Sequence, residues 1–467
     1  MGKRDSGRAL PVLLLLIALA GLAFVGLAAF RVGSEPEVAL SSGLSAVGKR
    51  TPVTVRVHEG GRGLSRVKVE FVQGTRVETL SDRSYRPRAP WALWGSRVDH
   101  DEITVEVGRD TIKALKQGTV TIRATADRAG SWLRNPGPVV KELSLPVRLT
   151  PPAVQVLSTA TYVAQGGAEA VVYRVGETAT HDGVEAGGWF FPGAPLPGGG
   201  KDIRFALFSA PYDTGSAVGI KLVAADDVGN ESRVAFIDKF FPHPPAHDTI
   251  DLTEAFMSKV VPEILSQTPD LADQGDLLQN YLRINRDLRK ANNAVLVDLA
   301  KNSKPEFLWG RPFQQMGNTQ VMARFADHRT YVYKGHPVDQ QVHLGLDLAA
   351  TRAAPIPASN DGIVVLARFF GIYGNSVVVD HGFGLMSLYG HLSSIEVKEG
   401  QAVRRGETIG RSGDTGLAGG DHLHFTLLLH GLPINPIEWW EAHWIQDRIA
   451  RKLGAGFRFQ PERPTRG

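Results

Sequence analysis

The sequence predicts a mostly β protein with one helical segment, carried behind a transmembrane helix. Three observations lead there. Residues 10–30 contain no charge and are dominated by Leu and Ala, a run of about 20 residues that suits a bilayer-spanning helix. From residue 37 to residue 240, short runs alternate apolar and polar positions between Gly-, Asp- and Ser-containing turns. Between residues 252 and 299 the apolar spacing lengthens to three and four, as in a helix.

Composition agrees. A chain of 467 residues is long enough for about two to four domains. Hydrophobic residues at 43% and charged residues at 21% suffice for real cores, and 51 Gly with 28 Pro favour many turns. A net charge of +4, with no Lys/Arg run interleaved with aromatics, argues against a nucleic-acid partner. Such a mildly basic surface suits an anionic polymer or lipid headgroup, or is simply solvated. Cysteine is absent, which excludes thiolate metal sites, iron–sulfur clusters, Cys nucleophiles and disulfide scaffolds. Any metal must be held by His and carboxylates.

Taken in order, residues 1–31 read as a cytoplasmic stub and anchor. Lys3, Arg4 and Arg8 precede the apolar run, so the positive-inside rule puts the N-terminus in the cytoplasm and the remainder outside. The competing reading is a cleaved signal peptide, for which Ala28-Ala29-Phe30 is a poor cleavage site. Either way the rest of the chain is exported.

Residues 32–150 form a first β-sandwich: Val53, Val55 and Val57 alternate with polar residues, as do Val67, Val69 and Phe71, then Ile103, Val105 and Val107, then Val120 and Ile122. Pro151-Pro152 ends it. Residues 151–245 form a second sandwich, whose stretch from Ile220 to Asn230 echoes Ile122 to Asp127 about one sandwich length earlier. That strand ending resembles bacterial immunoglobulin-like modules. Residues 192–201 are Gly/Pro-rich but lack a phosphate-binding pattern and read as a loop. After Pro242, Pro244 and Pro245 comes a helical segment, 246–306, with Asp251 and Glu254 as a capping pair. Its apolar stripe, including Leu277, Leu278, Tyr281, Leu282, Ile284 and Leu288, suits core packing. Residues 307–445 carry the chemistry, and 446–467 form a tail of short helix followed by disorder.

Nine of the 14 histidines lie in the last third: His328, His336, His343, His381, His391, His422, His424, His430 and His443. In Asp421-His-Leu-His-Phe-Thr-Leu-Leu-Leu-His430 the alternation fits a strand, so His422 and His424 share a face roughly 6–7 Å apart. One or both can reach a common metal. In His343-Leu-Gly-Leu-Asp347 four extended residues would span ~13 Å, too far for one ion. Gly345 permits the bend that lets both side chains converge. Two His and one Asp would leave a fourth position open for water, the arrangement of catalytic rather than structural zinc.

These motifs carry a resemblance. His343-Leu-Gly-Leu-Asp-Leu-Ala349, Gly374-Asn375, His381-Gly-Phe-Gly384, Leu388-Tyr-Gly-His-Leu392, Gly410-x-x-Gly-x-Thr-Gly416, His422-Leu-His-Phe425 and Asn435-Pro436 follow one another as in the LytM/lysostaphin family of peptidoglycan metallopeptidases. Phe307-Leu-Trp-Gly-Arg-Pro-Phe313 and residues 325–331 resemble the lead-in of its membrane-bound members. The resemblance implies a compact antiparallel β-sheet metallopeptidase domain with a groove over one Zn2+. It implies His343, Asp347 and His424 as ligands, with His391 and His422 as general base or transition-state stabilisers. The implied reaction is hydrolysis of peptide cross-links or stem peptides of peptidoglycan from an inner-membrane anchor. The implied partner is peptidoglycan; the apolar run adds the membrane through residues 10–30, and the roughly 270 residues before Phe307, far more than a tether needs, point to a regulatory protein on a sandwich or the helical segment or to a plain spacer.

Inactive relatives that lack ligands activate other wall hydrolases, so a non-catalytic wall-binding scaffold or activator is the rival; all five positions are kept here. A general protein peptidase fits poorly with a tether. Asp421, where relatives often have Pro, Thr or Ser, either accepts a hydrogen bond from a ligand or caps a turn. His381 is expected to shape the Gly382–Gly384 turn, His328, His336, His430 and His443 to be surface or packing residues, and Tyr389 to line the groove or pack.

Overall fold

The computed structural model describes residues 9–244 and 246–461. Lys3, Arg4, Arg8, the Pro245 boundary and the end of the C-terminal tail lie outside them. Strand is the predominant regular structure of the described residues. Helix α1, Ala9–Phe30, is long and apolar enough to cross a membrane. The chain divides into two compact units, one of residues up to 151 with 225–231, the other of residues 152–224 with 232 onward.

In the first unit a three-stranded sheet (Glu37–Ser42, Thr51–His58, His100–Val107) and a four-stranded sheet (Arg76–Ser84, Arg66–Gln73, Gly118–Asp127, Val139–Val147) contribute to one core. The alternation explains this. Val53, Val55 and Val57 are fully buried while Pro52 and Arg56 point out. Burying each such side chain stabilises by about 1.5–3 kcal/mol. The turn after Asp226 groups with this unit: the Asp226 carboxylate accepts from the backbone N–H of Val228 (3.1 Å) and Asn230 (2.8 Å), an Asx-type turn.

The second unit contains two four-stranded sheets. One runs Ala194–Pro195, Ile203–Ser209, Ala168–Val175, Val154–Val156; the other runs Trp189–Pro192, Ala179–Ala186, Lys221–Asp226, Glu231–Val234. The stretch expected to be a loop at 192–201 thus supplies the short strand Ala194–Pro195, which pairs with Ile203–Ser209. Their core does not close on itself. It runs on into the C-terminal sheet, with Phe205 against Phe307 (5.5 Å between ring centroids) and Phe383 (5.0 Å).

The helical segment opens with a strand, His247–Asp251, that pairs in parallel with Asp327–Tyr333. Asp251 therefore ends a strand, and the cap of helix α2, Glu254–Gln267, is Thr253, whose side chain accepts from Phe256 N–H. The physical reason is that the parallel pairing uses the backbone through Asp251, so the first residue free to cap is two later. Helix α3, Leu277–Arg283, runs through a π-helical turn at Ile284–Leu288 into helix α4, Arg289–Ala300.

An eight-stranded antiparallel sheet forms the C-terminal domain, in the order Gln320–Ala323, Leu346–Ala349, Leu423–Leu429, Leu385–Leu392, Asn375–Gly382, Gly362–Phe369, Ala402–Val403, with Leu432–Ile434 beside Leu423–Leu429. Strand Leu423–Leu429 is buried on both faces rather than one. Past Trp444 the chain stays helical to Leu453, and Phe457 packs on Trp309 at 4.7 Å, so the described tail is ordered further than a short helix.

Candidate metal centre

Strand pairing builds the site. Asp347 lies directly opposite His424 in the pairing of Leu346–Ala349 with Leu423–Leu429, so their side chains start as cross-strand neighbours. His343 ends the strand His336–His343, and the break before Leu346 turns it toward the same point. Gly345 matters there for a second reason besides the bend. A Cβ on it would sit 2.6 Å from the His424 ring and from Thr426 Oγ1, so only glycine admits the histidine.

Three atoms meet: His343 Nε2, Asp347 Oδ1 and His424 Nδ1, with separations of 3.0, 2.9 and 3.2 Å. The surroundings fix their protonation. His343 Nδ1–H donates to the Arg324 carbonyl at 2.9 Å, which leaves Nε2 with a lone pair. The Thr426 hydroxyl donates to the Leu344 carbonyl and accepts from His424 Nε2–H, both at 3.0 Å, which leaves Nδ1 with a lone pair. Two lone pairs and a carboxylate oxygen therefore face one another with no hydrogen to share. A cation relieves that repulsion, and a donor set of two imidazoles and one carboxylate fits zinc with an open position.

His391 and His422 stand beside this group. His391 has left-handed backbone, φ +65°, and its Nδ1–H donates to Thr415 O at 2.8 Å. Thr415 is itself set by glycines: a Cβ on Gly374 (φ +63°) would lie 2.4 Å from its backbone. His422 Nδ1–H donates to Gly420 O at 2.8 Å, and its Nε2 lies 3.6 Å from Asp347 Oδ1. The His391 and His422 rings are 4.8 Å apart.

Burial drives the His424 pKa down to about 4 and that of His391 well below its usual value, the neighbouring imidazoles adding to the latter. For His422 burial lowers it, but the Asp347 carboxylate outweighs burial and the net shift is upward.

All five residues line one cavity of about 430 Å3. Its other wall comes from the helical segment: Ile250, Asp251, Phe256, Tyr281 and Arg289. Sequence reasoning did not reach that wall, nor Arg329, whose Nη2 donates to Asp347 Oδ2 at 3.2 Å. Period-two alternation of Arg329 with Tyr331, also in the cavity, is the one signal that pointed there.

The remaining candidates fall elsewhere. Asp421 accepts from Ala353 N–H and the Ser412 hydroxyl and so braces a turn. His381 is fully buried in a strand, bonded to Asp361 O and Ser387 Oγ, and holds sheet to loop rather than only the turn beside it. Tyr389 is a core residue whose hydroxyl accepts from Ser359 N–H. His336 and His443 are exposed, His328 is half-buried, and His430 packs edge-on to Phe191.

Residues 341–436 match the model of peptidase family M23. Over 105 residues the chain is 46% identical to the peptidoglycan DD-endopeptidase ShyA of Vibrio cholerae, covering 22% of this chain and 24% of that one. Over 132 residues it is 36% identical to the DD-carboxypeptidase/endopeptidase Mpg of Neisseria meningitidis, covering 27% and 30%. A solved zinc-containing peptidase from Vibrio cholerae is 32% identical over 28% of this chain and 40% of that one, with a TM-score of 0.25. The match spans less than a third of the length of these curated relatives. The chain thus carries an M23 (LytM-type) domain at its C-terminus.

Proposed function

We propose that this M23 domain makes the chain a zinc-dependent peptidoglycan endopeptidase, anchored in the inner membrane by residues 10–30 with its catalytic domain in the periplasm. The observation that carries the reading is the meeting of His343 Nε2, Asp347 Oδ1 and His424 Nδ1 with no hydrogen between them. The DD-endopeptidase names among its relatives support peptide cross-links or stem peptides of the wall as substrate.

His343, Asp347 and His424 would hold one zinc per domain. When bound, the ion supplies a Lewis acid that polarises the scissile carbonyl and acidifies water. The chain's own residues do the rest. With Nδ1–H committed to a carbonyl, His391 and His422 each offer an Nε2 lone pair that can take the proton from water and return it to the leaving amine. Once protonated, either imidazolium donates to an oxygen that gains charge. Arg329 holds Asp347 Oδ2 and so orients Oδ1 into the site.

The wider plan belongs to the same proposal. Residues 32–150 and 151–245 are immunoglobulin-like sandwiches, 246–306 a helical segment and 307–445 the peptidase domain. Because strand His247–Asp251 and helix α2 wall the cavity, a regulatory protein that engages the helical segment would change access to it.

Digestion of purified sacculi by the full chain, followed by mass spectrometry of released muropeptides, tests the activity. Peptide-cleaved products that vanish with chelator are expected. A zinc-loaded protein that binds sacculi and releases nothing would replace the enzyme with a wall-binding scaffold or activator.

A further inference from the structure

The loops at the exit of helix α1 expose an unusual amount of aromatic surface. Trp94 is 82% exposed, Leu133 70%, Trp132 61%, Leu93 58% and Trp91 42%. Soluble surfaces rarely gather such side chains in one place unless something covers them. Their position relative to the helix is fixed. Trp91 and Trp132 pack on Phe24, with ring centroids 5.6 and 6.4 Å away, and on each other at 6.1 Å.

Phe24 is not at the end of the helix. It precedes Phe30 by six residues, about 9 Å along the axis. The helix itself, at 22 residues, is about 33 Å long, against a hydrocarbon thickness of about 30 Å. If it spans the bilayer, Phe24 lies within the outer boundary of the hydrocarbon, and the two indoles that touch it lie at the same depth. Trp prefers that depth, where its ring is apolar and its N–H reaches water.

The attachment is stiff. The C-terminal carbonyls of a helix lack partners within it. Here Ala28 O accepts from Trp132 N–H (3.0 Å), and Ala29 O accepts from Leu133 N–H (3.1 Å) and the Ser131 hydroxyl (2.8 Å). Arg31 Nη1 reaches Ala92 O in the other loop at 2.8 Å. The Arg134 guanidinium lies over the Phe30 ring at 5.8 Å, at the level where anionic headgroups would meet it.

We infer that the first sandwich is seated on the membrane, with the loops around Trp91–Trp94 and Trp132–Leu133 inserted into the outer headgroup–acyl boundary of the bilayer. The inference rests on the reading that residues 10–30 span that bilayer. The occupant is lipid because the patch continues the lipid-facing surface of the helix without a break.

The absence of cysteine allows a direct test. Full-length protein carrying one of Trp94→Cys, Leu133→Cys, Val77→Cys or Leu19→Cys is labelled with an environment-sensitive fluorophore. It is then reconstituted in phosphatidylethanolamine/phosphatidylglycerol vesicles with doxyl-quencher lipids. Val77 is exposed on the same sandwich, and Leu19 is mid-helix. Labels at 94 and 133 should shift to the blue and lose fluorescence to shallow quenchers, while 77 stays solvent-like and 19 responds to deep quenchers. Labels at 94 and 133 that behave like 77 while 19 is quenched would overturn the docking and leave the anchor intact. A solvent-like label at 19 would remove the anchor and the docking together. Blue-shifted labels at 94 and 133 that no lipid quenches would mean a second protein copy covers the patch, which also overturns it.

Discussion

Strands Thr51–His58 and Ala168–Val175 are both short, Val-rich and set in antiparallel sheets, yet they are buried in different ways. In the first, every second side chain is inside and the rest meet solvent. In the second, seven of eight residues are buried, because one face packs within its own sheets and the unit's core continues into the sheet that carries Asp347 and His424. The first sandwich is therefore a self-contained body. The second is one side of the peptidase body, and a fragment of residues 307–467 alone would expose the surface that Phe205 covers.

The largest expected effect asks whether the chemistry belongs wholly to that second body. His424→Ala should lose both metal and peptidase activity, whether or not residues up to 151 are present. His391→Ala and His422→Ala should keep near one zinc per chain by metal analysis and lose about 100- to 10,000-fold in turnover, the usual worth of positioned acid–base groups. An empty site in His422→Ala would exchange its role with that of His424.

The shared core predicts a contrast in stability. Phe205→Ala and Phe71→Ala, both fully buried, should each cost about 3–5 kcal/mol of their own unit. Only Phe205→Ala should also lower zinc occupancy and activity on heating. If Phe71→Ala does so equally in thermal inactivation assays, the units are not independent.

A smaller effect concerns the helical wall. Lys259 on helix α2 pairs with Asp414 at 2.7 Å, next to the loop whose Thr415 carbonyl holds His391. Exposed pairs contribute about 0.2–1 kcal/mol, so Lys259→Ala should raise turnover of a cross-linked muropeptide by at most about fivefold if the wall restrains access. Unchanged turnover would make the wall a fixed part of the groove.

The smallest is a pH effect confined to the second unit. The Glu438 carboxylate turns in to accept from Ala168 N–H at 2.9 Å, and burial pushes its pKa up to about 8. Nearby, Glu169 is buried against Lys452 and Arg448, and burial likewise raises it, to about 7. Carboxyls raised above their unfolded values stabilise at low pH, and that contribution is lost as pH climbs through the folded pKa. The melting temperature of the second unit should fall between pH 6 and 8 by more than that of the first, and Glu438→Gln should reduce the difference.

Legibility in the sequence follows the same contrast. The alternation of Val67, Val69 and Phe71 or of Ile103, Val105 and Val107 exposed the first sandwich because one face of each strand is wet. The second sandwich's continuation into the peptidase core stayed hidden, since a strand buried on both faces has no period to read. At the site, closely spaced His and Asp, together with the family resemblance, named residues that the fold brings into one cavity. The wall from Ile250 to Arg289 reaches that cavity through a parallel pairing of residues about 80 positions apart, His247 with His328, which no local pattern encodes. For Tyr389 alternation left a groove role and a packing role open, and burial in the core with its hydroxyl on Ser359 N–H decides for packing.

The stitched end of helix α1 has a consequence for export. A processing peptidase reads its cleavage site as extended, accessible backbone, but Ala28 and Ala29 are buried and their carbonyls are already bonded to residues 131–133. Those partners lie about 100 residues downstream, so they exist only after the first sandwich has emerged and folded. Under the anchor proposed above, closing of this β-sandwich would occupy the carbonyls of Ala28 and Ala29 and so shield the end of the helix from cleavage, and a substitution that slows that folding would lengthen the time they stay open.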